Sequence, residues 1–336
     1  MKLSILDQSP ISSGKTARQA LQESVKLAQI GEELGYTRYW IAEHHDLSGL
    51  ACSSPEVMLG YIGAKTEKIR IGSGAVLLPH YKPYKVAETY NMLATLFPGR
   101  IDVGIGRAPG GSAEATMALS DRFLEQVWKM PESFKELLHF LHNDFPSDHM
   151  YTKISASPVP DSPPQPWVLG TSEKSAKLAA ENGVAYAFGH FMSSKEGTEI
   201  MNCYLQSFET TGKQLYPESI VAVSAICAET TEKAEELALS EFVWKIQQEK
   251  GGGKKGVPSI EEAKKYSFNS DEQEMIKAMR KKMVIGNPQE VKKRLMELQT
   301  VYKADEIMII TITHHFKDRI QSYRLIADEM LSDIDR

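Results

Sequence analysis

Two histidines and a carboxyl stand side by side at Glu43-His44-His45, directly after the apolar run RYWIA. Imidazole changes charge near neutral pH, so a histidine held in a pocket is a natural general acid or base. Successive residues of a strand face opposite ways, so this spacing sends at most one of the two rings into a common pocket. A metal reading needs ligands from elsewhere, and Asp7, His190 and His314 or His315 are candidates because they end other apolar runs. No HExxH-like spacing accompanies them, which makes a metal-dependent hydrolase the weaker reading. A histidine merely hydrogen-bonded at the rim of a fold also fits the trio taken alone.

Two further groups carry chemistry. Arg107 sits among Gly104, Gly106, Gly110 and Gly111, where glycine permits close approach and arginine offers a permanently charged planar fork. Gly170-Thr171-Ser172 precedes a helical segment with Ser175 in its first turn, which places free N–H groups and hydroxyls at a positive helix end. Ordinary capping by Ser172 explains the second group equally well. Taken together, the two groups match opposite sides of one phosphate.

The elements that must hold these residues alternate regularly. Strand-like runs at 3–9, 38–45, 69–79, 101–107, 166–172, 184–191, 219–229 and 305–315 are separated by helical segments. Helices are expected over 17–34, 54–67, 83–96, 120–143 (broken at Met130-Pro131), 174–182, 195–209 and 317–332. Near-continuous apolar runs belong to parallel strands buried on both faces. Eight such units without sequence repetition favour one (β/α)8 TIM barrel spanning 1–336, with a doubly wound open sheet as the alternative. The polar groups above collect at the carboxyl ends of the runs, the edge where a barrel carries its active site. One stretch breaks the rhythm: 250–283 begins KGGGKKGVP and stays highly charged before Asn287-Pro288. It is read as an insertion before the last barrel unit, either surface decoration or a mobile lid over the mouth.

Composition narrows the function classes. A formal charge of −5 gives no general attraction to nucleic acid or anionic membranes. Cys52, Cys203 and Cys227 are few and widely spaced, there is no signal-like start, and no apolar run reaches membrane length. A cytoplasmic protein is expected.

With these motifs assembled, the chain resembles the bacterial luciferase-like, flavin-dependent monooxygenases. The resemblance is most specific over 36–111, through EHH, Ser54-Pro55, GSGAVLLP and PGRIDVGIGR, and extends through GTSEKSAKLAAENG to the GNPQEV at 286–291. It implies a (β/α)8 barrel that takes reduced FMN from a separate flavin reductase and activates O₂ through a C4a-peroxyflavin to oxygenate a small organic substrate. By matched position it implies His44 as the catalytic histidine. It assigns Gly74, Ala75, Gly106, Arg107, Thr171, Ser172 and Ser175 to the cofactor, with a non-prolyl cis bond at Gly74-Ala75. Gln8, His45, Tyr81, His190, Phe191 and His314 are the candidate substrate-pocket residues. Light-emitting members carry cysteine where this chain has Gly106, a departure that speaks against light emission. The same fold also serves F420-dependent hydride transfer and non-catalytic flavin binding; retention of His44 speaks against the latter. Dimerisation through the segments 54–67 and 83–97 is implied too, where Tyr61, Tyr90 and Met92 are expected on the outside.

Overall fold

All eight apolar runs become parallel strands of one closed barrel. The computed structural model describes residues 1–195, 197–210, 214–251 and 256–331. The chain starts as β1 (Lys2–Asp7), returns along α1 (Ala17–Glu33), and repeats the step through β2 (Arg38–Ile41), α2 (Pro55–Gly63) and β3 (Arg70–Ser73). A two-residue β4 (Val76–Leu77) and α3 (Pro83–Leu96) lead to β5 (Ile101–Gly106). Three short helices follow: α4 (Ala113–Leu119), α5 (Phe123–Trp128) and α6 (Met130–His142). Next come β6 (Gln165–Gly170), α7 (Glu173–Glu181), β7 (Ala185–Gly189), α8 (Gly197–Ser207), β8 (Ser219–Cys227) and α9 (Thr231–Glu249). The remainder is α10 (Ile260–Lys264), α11 (Ser270–Lys282), β9 (Val284–Gly286), α12 (Pro288–Tyr302), β10 (Glu306–Ile310) and α13 (Phe316–Met330). Strand order runs β10-β1-β2-β3-β5-β6-β7-β8, and pairing of β10 with β8 closes the ring. The short β4 pairs with β5, and β9 pairs with β8.

Both faces of each strand are buried, which is why the runs read as continuous apolar sequence. Inside the barrel, Leu6, Trp40, Trp167, Ile220, Met308 and Ile310 pack with Ala185, Ala187 and Ala222. The alanines leave room for the two indoles, which meet edge-on with centroids 5.3 Å apart. Outside, Leu3, Ile5, Tyr39, Ile71, Val103 and Val221 face the helical layer.

The amino-terminal end of the barrel is held by charge. Arg38, the first residue of β2, is 2% exposed and donates to Glu306 from Nε at 3.0 Å and Nη2 at 3.1 Å, and to Asp102 from Nη1 at 2.9 Å. Its Nη2 also reaches Glu218 at 3.2 Å. Asp102 takes further bonds from Trp40 Nε1 at 2.9 Å and from Arg70. Burial works against the guanidinium's charge, but Asp102 and Glu306 outweigh it, so its pKa lies above the ordinary arginine value.

Several local expectations are corrected. The second strand ends at Ile41: the Ala42 N–H to Asp7 O bond completes its ladder with β1, and His44 N then bonds to Cys52 O, which takes Glu43-His44-His45 off the ladder. The run 69–79 divides at Gly74-Ala75, whose peptide bond is cis. The segment 120–143 does divide at Met130-Pro131, into α5 and α6, but a further helix that was not expected, α4, precedes it. Tyr90 is 1% exposed and belongs to the core, unlike Tyr61 and Met92. Within the insertion, Val257 pairs with Ser12 and is buried beside Trp244, while Lys282 donates to the Ser193 carbonyl at 2.7 Å. The glycine-rich 252–255 lies outside the described residues. Among the described residues, no helix is long and apolar enough to cross a membrane.

Candidate active site

At the carboxyl ends of β1 to β7, the strand-end residues line a cavity of about 450 Å³, within the size of small-molecule sites. Its wall brings together Gln8, His44, Gly74, Ala75, Gly106, Arg107, Thr171, Ser172, Ser175 and Phe191. These positions span 184 residues of sequence only because a parallel barrel puts every strand's carboxyl end on one rim. All the positions matched to the cofactor are therefore neighbours.

His44 is held by its backbone, with its N–H on the Cys52 carbonyl at 3.0 Å. Its Nδ1 is buried and, among the described residues, has no hydrogen-bond partner. Burial, and then the nearby charge of His45, push its pKa down to about 4, so the ring is neutral at physiological pH. His45 is turned elsewhere: its N–H bonds to Gly110 O at 2.8 Å and its Nε2 lies 2.8 Å from Glu43 Oε1. Gly111 permits this approach, because a Cβ there would stand 1.9 Å from the His45 carbonyl oxygen. Gly104 likewise serves backbone packing, since its Cβ would lie 2.1 Å from Ser73 O. Gly106 differs, because it is part of the cavity wall beside Ala75.

Arg107 is exposed and donates from Nη2 to Ser172 Oγ at 3.3 Å; no carboxylate pairs with it among the described residues. Ser172 caps α7 in a reciprocal box with Ser175, so the capping role is real. Ser175 is the more committed of the two, bonding Ser172 O at 2.6 Å and Tyr186 OH at 3.1 Å. The arrangement joins an unpaired guanidinium to the positive end of a helix that is open on the cavity side, which suits a dianionic phosphate. A small-residue floor at Gly74, Ala75 and Gly106, an orphaned imidazole nitrogen and this anion clamp fit a planar ring with a phosphate tail. The residues present thus fit FMN.

The remaining candidates have other partners. Tyr81 OH donates to Glu43 at 2.7 Å, His190 Nδ1 lies 2.9 Å from Tyr302 OH, and His314 Nε2 lies 3.2 Å from Ser13 O. Tyr81, His190, His314 and His45 are not part of the cavity wall. Asp7 points into the helical layer, where it accepts from Arg319 at 2.6 Å. Among the described residues, no three metal-ligating side chains converge. The sequence singled out Glu43 without giving it a role, and it did not point to the rim formed by Phe123, Leu124, Val127 and Met192. The i, i+4 spacing of Phe123 and Val127 was the available signal.

Comparison with known proteins agrees with this fold. The profile described as "Luciferase-like monooxygenase" matches residues 1–302. The N-acetyl-S-alkylcysteine monooxygenase of Bacillus subtilis (strain 168) is 39% identical over 99% of both chains. The crystal structure of apo-MsnO8 superposes with a TM-score of 0.85 at 31% identity, covering 98% of this chain and 97% of that one. The oxygenating constituent of 3,6-diketocamphane monooxygenase from Pseudomonas putida, solved with FMN, shares the fold at 18% identity and a TM-score of 0.72, over 98% and 97% of the two chains. With a barrel of this topology and a match running from the first strand through α12, the chain belongs to the luciferase-like monooxygenase family.

Proposed function

We propose that this protein is a monooxygenase that uses reduced FMN, delivered by a separate flavin reductase, and O₂ to oxygenate a small organic substrate. The observation that carries the reading is the shared cavity: a neutral, partnerless His44 stands on the same wall as the Arg107–Ser172 anion clamp. Reduced flavin, when bound, supplies the electrons that activate O₂. The chain's own residues bind the phosphate, exclude water with the apolar rim, and hold or accept a proton at His44. That rim, with Phe123, Leu124, Phe191 and Met192, suits an apolar substrate end. A thioether is the first substrate to try, given the relative that acts on N-acetyl-S-alkylcysteine. Anaerobic titration with reduced FMN, followed by mixing with O₂ and candidate thioethers, tests the reading. Binding of F420 in preference to FMN, or flavin oxidation with no product for any substrate, would overturn it.

Arg107→Ala is expected to weaken FMN binding by about 1.5–3 kcal/mol, the worth of a charge-assisted phosphate contact. Riboflavin, which lacks the phosphate, should bind wild type and variant alike. Equal FMN affinity in both proteins would show that the phosphate lies elsewhere.

Assembly follows from the outer face of the barrel. Val57 and Tyr61 on α2, and Met92 and Leu96 on α3, are 50–67% exposed and repeat at i, i+4 on adjacent helices. Such a stripe suits a symmetric homodimer. Light scattering should give a dimeric mass for wild type and a monomeric one for a Tyr61→Glu, Leu96→Lys variant. A dimer in both cases removes this interface from consideration.

The segment 256–283 extends the reading to a lid. It begins against the rim at Ser12 and ends against Ser193, beside Met192 in the cavity wall. Its amides should exchange faster in the free protein than with flavin and substrate bound. Identical exchange in the two states would leave it a fixed buttress.

A further inference from the structure

Glu43 is part of the cavity wall, yet its carboxyl group is 2% exposed and fully engaged. Oε1 accepts from Tyr81 OH at 2.7 Å and lies 2.8 Å from His45 Nε2, while Oε2 accepts from Leu77 N–H at 3.3 Å. His45 retains 12% side-chain exposure and stands edge-on to His80, with centroids 6.0 Å apart. His44, by contrast, has a buried partnerless Nδ1. Among the described residues, that nitrogen therefore has no hydrogen-bonded route through the wall.

We propose that Glu43 and His45 form a proton passage from solvent to the cavity, separate from His44. The proposal rests on the flavin monooxygenase reading. The balance for an anionic reduced flavin is FMNH⁻ + O₂ + S + H⁺ → FMN + SO + H₂O, so each turnover takes up one proton from outside. A filled, water-poor cavity needs a wall route for it. His45 passes its Nε2 proton to Glu43 Oε1, takes one from water at Nδ1 and turns its ring to restore the starting state, and Glu43 yields its proton in the cavity to the oxygen that leaves as water. Tyr81 keeps the carboxyl oriented by donating to the same oxygen throughout. Burial raises the Glu43 pKa more than its bonds from Tyr81 and His45 lower it, which helps a carboxyl that must be transiently protonated. The other titratable groups around it are His44 on the same loop, His80 beside His45, Cys52 and Tyr90, which sense its charge, and Glu56 on α2.

The first arm of the test needs no cofactor. Infrared pH titration of the free protein should show a protonated carboxyl band, absent in Glu43→Gln. Its midpoint should coincide with a change in the ¹⁵N shifts of the His45 ring. Independent midpoints, or the band surviving in Glu43→Gln, would overturn the coupling. In the second arm, reduced enzyme is mixed with O₂ and substrate. His45→Gln, with FMN affinity unchanged, should slow turnover by roughly 10²-fold, enlarge the solvent isotope effect and be rescued by added imidazole. A merely structural defect would not be rescued, so wild-type rates or failed rescue would overturn the passage. Failure of FMN to bind the wild type would instead sink the functional reading and leave the first arm intact.

Discussion

His44→Ala is expected to lower turnover about 10²–10⁴-fold while leaving FMN affinity nearly unchanged. The phosphate clamp lies on the β5 and β6 ends, whereas His44 projects from the loop after β2, so the two functions separate. A ring with a pKa of about 4 is ready as a base at neutral pH and adds no titration near its usual 6.5 to the rate profile. The same burial makes a stability claim. The unfolded chain protonates this histidine first, near 6.5, whereas the folded protein resists until about 4. Its contribution to stability is therefore intact above 6.5 and lost progressively as pH falls to 4, by roughly 3 kcal/mol in all. Urea unfolding at about pH 7 and about pH 4 should show a smaller drop in His44→Gln than in wild type. An unaltered turnover in His44→Ala, or an identical acid drop in the two proteins, would remove the ring from this role.

The second large effect lies at the opposite end of the barrel. Arg38→Leu is expected to cost about 3–5 kcal/mol, because it strands Glu306 and Asp102 as buried carboxylates without their guanidinium. Asp102 keeps Arg70, whereas Glu306 loses its only cation among the described residues. Pairing Arg38→Leu with Glu306→Gln should recover part of the loss, since one uncompensated charge is then absent. Arg38→Lys should fall between, because a point charge cannot fork to two carboxylates. The urea midpoint checks the series. A midpoint within experimental error of wild type for Arg38→Leu would mean water enters this end and solvates the charges.

Much of this was legible from residues alone. Alternating apolar runs and helical segments, with polar groups gathered at the carboxyl ends, already called for a (β/α)8 barrel with its site on that rim. The observed barrel strands fall on the expected runs, β1 and β6 each starting one residue earlier, whereas the three-residue β9 starts just past the charged insertion and is too short to carry a pattern. The matched cofactor positions lie in one wall because closure of the ring leaves strand ends no other place to be.

What stayed hidden depended on contacts between distant segments. Strand alternation rightly allowed only one of His44 and His45 into the cavity, but not for the operative reason: the ladder stops at Ile41, and bonds to Cys52 and Gly110 hold the two residues apart. Glu43 looked like one more charge in a motif until Tyr81, His45 and Leu77 were seen converging on it. Tyr90 looked exposed because helical periodicity gives a face without saying what that face meets. By itself, then, the sequence determined strand and helix succession, and through it the barrel and the rim on which chemistry sits. Only the tertiary structure decided which titratable groups face the cavity and which are spent on one another. Local periodicity is set by bonds between near neighbours, whereas a side chain's direction beyond a strand end, and its burial and charge, are set by residues far away in the chain.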